Sequence, residues 1–322
     1  MLGLGVLAPV CAEYLWAYDD ATGQPLVLLG SLVILTPLYG CPALLVREVA
    51  HRRGLGWPSV LLMAAAFGVV EAGIVDQSMW STSYRDISYW HDMASPTYIE
   101  PIGMSVFLVV TFVGGHVINS IGAPIAVAEG LAGRRGQQPW LTKWTIPVVA
   151  LLYVAASALV LGDHLVTESD HASAGQVAGS AVAALLLVLL ALAPVWRPRP
   201  LRTGRVPSPW LVLVLAAGVF AASQSYGASP LGTDALLATE AVAVVAVWRL
   251  SARAGWGAGQ AAALATGALV AAGVLAFQAE PLGDVSAARQ LGHNLTLVLL
   301  VAALGAAAVR RAAGARGVSV AG

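Results

Sequence analysis

Ten apolar stretches, each long enough for a membrane-crossing helix, alternate with polar loops along the chain. A helix needs roughly 20 mainly apolar residues to cross the hydrocarbon layer of a bilayer. The pattern therefore predicts an all-α fold, a polytopic transmembrane helix bundle of about ten spans. The predicted spans lie near residues 1–18, 26–47, 59–78, 102–129, 144–162, 176–196, 209–226, 233–249, 258–278 and 291–309.

The composition is that of a membrane protein. Of the 322 residues, 58% are hydrophobic and 11% are charged, and the mean hydropathy is +0.77, whereas soluble domains average about 25% charged residues. This composition predicts a lipid bilayer as partner. The formal net charge is zero, so we expect no nucleic-acid partner. Cys11 and Cys41 both lie in apolar runs, which excludes a disulfide scaffold and a cysteine-ligated zinc site.

Basic residues accumulate in alternate loops. They follow spans two, four, six, eight and ten, and of the 17 basic residues only Arg85 and Arg289 fall on the opposite side. Positively charged loops stay in the cytoplasm, so we predict that both termini are cytoplasmic and that the membrane is a plasma membrane. A single lysine among many arginines, alanines and glycines is typical of a GC-rich bacterial genome. No basic residue precedes the apolar run of span one, so we interpret it as a span and not as a signal peptide.

Polar residues divide the chain into two parts of one integral membrane unit. Residues 1–135, with spans one to four, carry most polar and proline-interrupted helices, and residues 144–322, with spans five to ten, are rich in Ala, Val and Leu. No convincing internal repeat is present, so an inverted-repeat transporter is not favoured. The spacing of small residues at Gly175, Gly179 and Gly267 predicts close helix packing.

Two segments each allow two interpretations. Pro37, Gly40 and Pro42 in span two leave backbone carbonyls without their usual partners, which predicts either a kink that fits neighbouring helices or a cavity wall. The external loop 79–101 is rich in Trp and Tyr. It is either an aromatic belt at the membrane interface or a lid over an outward cavity.

Four ionisable side chains and one amide lie inside the spans at a common depth: Glu13, Glu71, His116, Asn119 and Glu240. At 1.5 Å per helical residue they stand ~15–21 Å from the basic side of the membrane. Such groups usually face a bundle interior or a cavity, and a glutamate near a histidine can exchange protons with it. We predict Glu71 and His116 as catalytic residues, with Glu13, Asn119 and Glu240 as supporting polar groups. The alternative is that each merely hydrogen-bonds a neighbouring helix.

Polar residues near the ends of the spans have simpler interpretations. Glu48 and Arg52 are four residues apart and are expected to pair at the cytoplasmic rim. Asp76 either extends a polar path outward or marks the end of span three, and we favour the second interpretation. His293 and Asn294 open span ten and are expected to be interfacial.

One external cluster combines residue types that can bind metals: His164, Glu168, Asp170 and His171. Its spacing matches no strong zinc pattern, so we expect a solvated loop. No metal site and no cofactor site is predicted anywhere in the chain.

The segment around Glu71 and His116 resembles the CAAX-protease and bacteriocin-processing (CPBP) family of intramembrane proteins. Phe112-Val113-Gly114-Gly115-His116 fits the Phe-x-x-x-His motif of that family, and Glu71 stands where a catalytic glutamate is found. Ala72 replaces the second glutamate of the family pattern, Asp76 stands in place of an arginine, and the later His-x-x-x-Asn motif is missing. The resemblance implies that Glu71 and His116 polarise a water molecule for peptide-bond hydrolysis within the membrane.

The segment from Arg47 to Pro58 also resembles a group of uncharacterised bacterial multi-pass membrane proteins. That resemblance implies a class and no activity.

These features leave several functions open. The first is an intramembrane hydrolase that uses Glu71 and His116, and a variant is an enzyme acting on a lipid-soluble, terpenoid-like substrate with Glu71 as proton donor. The second is a proton-coupled transporter in which Glu13, Glu71 and Glu240 exchange protons. The third is a membrane scaffold without chemistry. The substrate, whether small molecule, lipid or peptide, and the oligomeric state are left open.

Overall fold

The computed structural model describes residues 1–85, 87–197 and 202–317. Within them, ten apolar helices follow one another, one in each predicted span, so the predicted helix bundle is confirmed. Eight are long and apolar enough to cross a membrane, and α1 and α7 are shorter. The helices are α1 (Leu2–Trp16), α2 (Pro25–Arg53), α3 (Trp57–Val75), α4 (Val106–Gln137), α5 (Thr145–Thr167), α6 (Ala174–Ala191), α7 (Pro209–Gln224), α8 (Pro230–Ser251), α9 (Ala258–Gln278) and α10 (Ala287–Gly317).

Local sequence explains where several helices begin and end. Ser173, Ser208 and Ser229 accept a hydrogen bond from the first turns of α6, α7 and α8, as N-cap residues do. At the other end of a helix, Gly54 stops α2 in a left-handed conformation with φ of 61°, which glycine adopts without a Cβ clash. The chain can therefore turn at once into α3.

Burial separates central helices from lipid-facing ones. In α3 and α9, 67% of the most apolar window is buried, against 6% in α5 and 11% in α8. The outer half of α2, Pro25–Leu35, has no buried residue. Exposed leucines and valines on α5 and α8 would be unfavourable in water, so this surface belongs in a lipid bilayer.

Two apolar cores meet inside the bundle. One surrounds α3 and contains side chains of α1, α2, α4, α5 and α6. The other surrounds α9 and contains side chains of α1, α4, α7 and α10. Helices α1 and α4 contribute to both cores, and α5 and α6 pack with the polar helices, so packing does not follow the change in composition near residue 136.

Three helices contain a π-helical turn in their middle or at their end. The turns are Thr36–Gly40 in α2, Glu71–Val75 in α3 and His116–Gly122 in α4. In α2 the turn holds Pro37, which lacks a backbone N–H, and the helix continues to Arg53, as the kink interpretation predicts. Single π turns are frequent at functional sites, and two of these begin at Glu71 and His116.

The loop between α3 and α4 is folded over its described residues. It contains a helical turn, Trp90–Ala94, and the antiparallel strands β1 (Tyr98–Ile99) and β2 (Met104–Ser105). Tyr84 and Trp90 are buried, with ring centroids 4.7 Å apart, and Trp90 lies 5.5 Å from Phe112 of α4. These two rings are therefore packed inside the protein, Tyr84 on Trp90 and Trp90 on α4.

Glycine packing divides the predicted small-residue positions. A Cβ on Gly267 of α9 would collide with the Leu213 carbonyl of α7, so α7 and α9 approach as closely as predicted. A Cβ on Gly179 would meet nothing within 4 Å, and one on Gly175 only Ser173 Oγ at 3.9 Å. The prediction is wrong for Gly175 and Gly179.

Candidate functional site

Glu13 is held by two tyrosines where the α-helical part of α1 ends. Its Oε2 accepts a hydrogen bond from the Tyr18 hydroxyl and its Oε1 accepts one from the Tyr39 hydroxyl. Tyr39 lies on the π turn of α2, so the bonds join α1 to the middle of α2. Neither donor carries a positive charge.

Aromatic rings surround His116 on the π turn of α4. The Tyr39 ring stacks on His116 at 6.0 Å between centroids, and Phe67 of α3 approaches edge-on at 5.4 Å. Tyr153 of α5 lies 6.1 Å from Phe67. His116 Nδ1 is 3.0 Å from Ser120 Oγ on the same helix, so the imidazole orientation is set within α4.

Glu71 is the most buried carboxyl of this region. It is 1% exposed, and its Oε2 has no hydrogen-bond partner. The carboxyl interacts electrostatically with Glu13, Asp76, Tyr39 and Tyr153. A buried carboxylate without a cation is strongly unfavourable, so this environment suits a group that carries a proton.

No hydrogen bond joins Glu71 to His116 among the described residues, but their helices approach each other nearby. Helices α3 and α4 cross closely at Gly68, where an added Cβ would lie 3.0 Å from the His116 Cβ. Glu71 follows Gly68 by three residues and therefore lies on a similar face of α3. We call Glu13, Tyr39, Glu71 and His116 the interior cluster.

The other two predicted supporting residues lie apart from those contacts. Asn119 is 3% exposed, and its Oδ1 has no hydrogen-bond partner. Glu240 on α8 is partly buried, with Oε1 3.5 Å from the position of a Cβ on Gly114 of α4. Glu240 therefore lies against α4 two residues before His116, and none of the hydrogen bonds found among the described residues joins it to Glu13, Tyr39 or His116.

Asp76 stands where α3 ends. Its backbone N–H donates to the Glu71 carbonyl at 3.0 Å, and its Oδ1 accepts from the Ser78 N–H at 2.9 Å. Burial raises the pKa of Asp76 to about 6. The favoured prediction, that Asp76 marks the end of the span, agrees with these bonds.

A second polar group, which the sequence indicated only in part, joins α2 to α4 and to the loop that follows α4. Arg47 is 1% exposed, and its Nε lies 2.9 Å from Glu129 Oε1. Its Nη2 donates to the carbonyls of Gly136 and Gln138 at 2.5 and 3.0 Å. The guanidinium carbon lies 3.4 Å from the centroid of the Trp140 ring, whereas Nε and Nη1 form no hydrogen bond among the described residues.

Glu48 completes this contact on the next helical position. Its Oε2 accepts the N–H groups of Trp140 and Leu141 at 2.7 and 3.1 Å, and its Oε1 accepts from Arg52 Nε at 2.6 Å. The predicted Glu48–Arg52 pair is therefore confirmed. Arg52 Nη2 also donates to the Leu141 carbonyl at 2.6 Å. We call Arg47, Glu48, Arg52 and Glu129 the clamp.

The external cluster braces the long loop. Asp170 Oδ2 accepts from the N–H and hydroxyl of Thr82, and Glu168 Oε2 accepts from the Arg85 N–H. Both carboxylates remain partly exposed while they hydrogen-bond the long loop. Among the described residues no group of three or more His, Cys, Asp or Glu side chains is placed to hold a metal ion.

Two residues near the start of α10 are buried. His293 Nε2 lies 2.8 Å from the Tyr14 carbonyl, and Asn294 Nδ2 donates to the Ala276 carbonyl at 3.0 Å. Both side chains are at most 8% exposed. Both residues hydrogen-bond backbone groups of α1 and α9, so they join α10 to these helices.

These features define a multi-pass helical membrane protein with ionisable groups inside its bundle. A family model described as an uncharacterized membrane protein family matches residues 2–321. The chain belongs to that family, and the matched residues include both the interior cluster and the clamp. Neither the curated proteins nor the solved structures contain a match.

Proposed function

We propose that the protein is a proton-coupled membrane transporter of a small solute, with Glu71 and Glu13 as its proton-binding groups. The observation that carries the proposal is the Glu71 carboxyl, buried with one oxygen unpartnered. Inside a bilayer such groups are rare and mark proton relays and substrate paths. Proton release from Glu71 would introduce an uncompensated charge, which a change in helix packing or a bound cation must then relieve.

Glu13 complements Glu71 in this proposal. Its two oxygens are bonded to the hydroxyls of Tyr18 and Tyr39, and hydroxyls can both donate and accept hydrogen bonds. They can therefore follow a change in the protonation of the carboxyl without moving away. Tyr39 also contacts His116, so a change at Glu13 reaches the π turns of α2 and α4.

The first test compares Glu71→Gln with Glu240→Gln. The full chain is placed in lipid vesicles, the pH is changed, and the infrared absorption of protonated carboxyl groups is recorded together with voltage-driven proton entry. We expect Glu71→Gln to abolish one protonation step and the proton flux, and the matched Glu240→Gln change to preserve both. An unchanged protonation step in Glu71→Gln would contradict the proposal.

A second candidate is the intramembrane hydrolase implied by the CPBP resemblance. The close crossing of α3 and α4 at Gly68 and His116 supports it, because Glu71 follows Gly68 by three residues on α3. Proton exchange at Glu71 without any voltage-driven flux, together with cleavage of a membrane-inserted peptide that is lost in Glu71→Gln and in His116→Ala, would favour hydrolysis. If neither change alters more than stability, the scaffold hypothesis holds.

We further propose that the face bearing the clamp is cytoplasmic and that the membrane is a bacterial plasma membrane. The distribution of basic residues supports this orientation. A reporter enzyme that is active only outside the cytoplasm is fused in turn to loop 79–101 and after residue 317. We expect activity from the loop fusion and none from the C-terminal fusion, and the reverse result would overturn the orientation.

A further inference from the structure

A cavity of about 220 Å³ lies beside the clamp, away from the interior cluster. It is bounded by the beginning of α3, the end of α4 and the beginning of α9. Trp57 and Trp256 contribute indole rings, Glu129 a carboxylate and Gln137 an amide, and the remaining walls are small residues. A cavity with aromatic walls and a few polar groups is the usual form of a small-molecule site.

Glu129 gives this cavity a negative group that is only partly neutralised. Arg47 Nε and His51 Nε2 both approach the same oxygen, Oε1, at 2.9 and 2.5 Å. A carboxylate has two oxygens and about four lone-pair sites. Glu129 can therefore hold the clamp through one oxygen and accept a further positive group through the other.

The surroundings do not favour an anion. The Gly257 N–H at the start of α9 donates to Gln260 Oε1 at 3.1 Å, so this helix-terminal donor is taken by the helix itself. The Arg47 guanidinium is directed at the carbonyls of Gly136 and Gln138. No lysine or arginine is among the described residues that line the cavity.

We propose that this cavity binds a small organic cation with an apolar body, of the quaternary ammonium class. Indole faces attract such cations through their π electrons, and the attraction is greatest where water is excluded. A compact metal ion needs six or more oxygen ligands or a set of His and Cys side chains, which the described lining does not provide. The two tryptophans and Glu129 are the specificity-determining groups.

The test is a calorimetric titration of the full chain in a maltoside detergent, which contains no choline. Choline is the probe, and its uncharged analogue, with carbon in place of the ammonium nitrogen, is the matched ligand. We expect saturable choline binding that is at least about tenfold tighter than binding of the analogue. Trp256→Leu should weaken choline binding by about tenfold or more.

Two variants control this experiment. Trp248→Leu removes a tryptophan that packs on Trp196 at 6.0 Å and does not line the cavity, and it should leave choline binding unchanged. Glu129→Gln should weaken binding of choline and not of the analogue. No saturable choline binding, equal affinity for both ligands, or unchanged affinity in Trp256→Leu would each overturn the proposal.

Discussion

The clamp and the interior cluster both bury carboxyl groups in the same bundle, and they satisfy them in different ways. In the clamp, Glu48 accepts hydrogen bonds from Arg52 and from two backbone N–H groups, and Glu129 forms an ion pair with Arg47. In the interior cluster, the hydrogen bonds to the Glu13 carboxyl come from tyrosine hydroxyls, and Glu71 Oε2 accepts no hydrogen bond among the described residues. Burial alone therefore does not distinguish the two regions. They differ in whether an arginine side chain lies beside the carboxyl group.

This difference distinguishes carboxylates that stay charged and stabilise the fold from carboxyl groups that can bind and release a proton. A buried carboxylate with cations and N–H donors around it is stable as an anion, and loss of one partner is costly. A buried carboxyl without a cation is favourable only in its neutral form. We therefore expect the clamp to determine stability and the interior cluster to determine proton binding, and the following changes test this division.

Arg47→Met has the largest expected effect on stability. It leaves Glu129 and the carbonyls of Gly136 and Gln138 without their charged donor, so we expect a loss of ~3–5 kcal/mol in the free energy of unfolding. The loss is measured by denaturant titration in mixed micelles. The matched change Arg52→Met removes a side chain that is 41% exposed and leaves Glu48 with its two backbone N–H donors, so it should cost less than Arg47→Met. Equal losses would contradict the central role of Arg47.

Glu129→Gln and Glu71→Gln compare one carboxyl from each region. The first change removes the charge that Arg47 and His51 share, and we expect a loss of ~2 kcal/mol in the free energy of unfolding. The second removes no hydrogen bond at Oε2 and should change that free energy by less than about 1 kcal/mol. Should Glu71→Gln prove the more destabilising change, the division between the regions is wrong.

Asp76→Asn tests the pH dependence at the outer end of α3. Burial raises the pKa of Asp76 from 3.8 to about 6, so the folded protein holds this proton more tightly than the unfolded chain. The stabilising contribution is complete below about pH 4 and is lost as the pH rises through about 6. We expect Asp76→Asn to stabilise the protein above pH 6, which is seen as a higher unfolding temperature, and not at pH 4. Unfolding scans across this range check it, and the same gain at both ends would contradict the cause.

Glu240→Gln has the smallest expected effect. Its carboxyl lies beside Gly114, outside both regions, so stability should change by less than about 0.5 kcal/mol. The denaturant titration used for Arg47→Met measures it. A large loss would show that Glu240 belongs to a third buried polar contact.

Much of the fold could be predicted from patterns along the chain. Whether an individual residue was predicted correctly depended on whether its partners are close to it in the sequence. The ten helices were predictable because the length of an apolar run is a local property. Glu71, Glu13 and His116 were noticed because ionisable residues are rare within such runs. Tyr39 was overlooked because tyrosine is common near membranes, although its position on the predicted break of span two was a signal.

The clamp was harder to predict because half of its partners are backbone groups. The carbonyls of Gly136 and Gln138 and the N–H groups of Trp140 and Leu141 have no sequence signature. Glu129 was a usable signal, since it is an acidic residue at the inner end of an apolar span near several arginines. Tyr84 and Trp90 show the opposite case. Their residue types favour a membrane interface, but their rings pack inside the protein, Trp90 against Phe112 of α4.

The sequence by itself determined the number of helices and their order, because the length and hydrophobicity of each apolar run are local properties of the chain. Only the tertiary structure decided which ionisable groups meet. The direction in which a side chain leaves its helix has meaning only once neighbouring helices are packed, and close crossings such as Gly68 with His116 set that packing. For this reason Glu129 is matched by Arg47 at 2.9 Å, whereas no cation is among the electrostatic partners of Glu71.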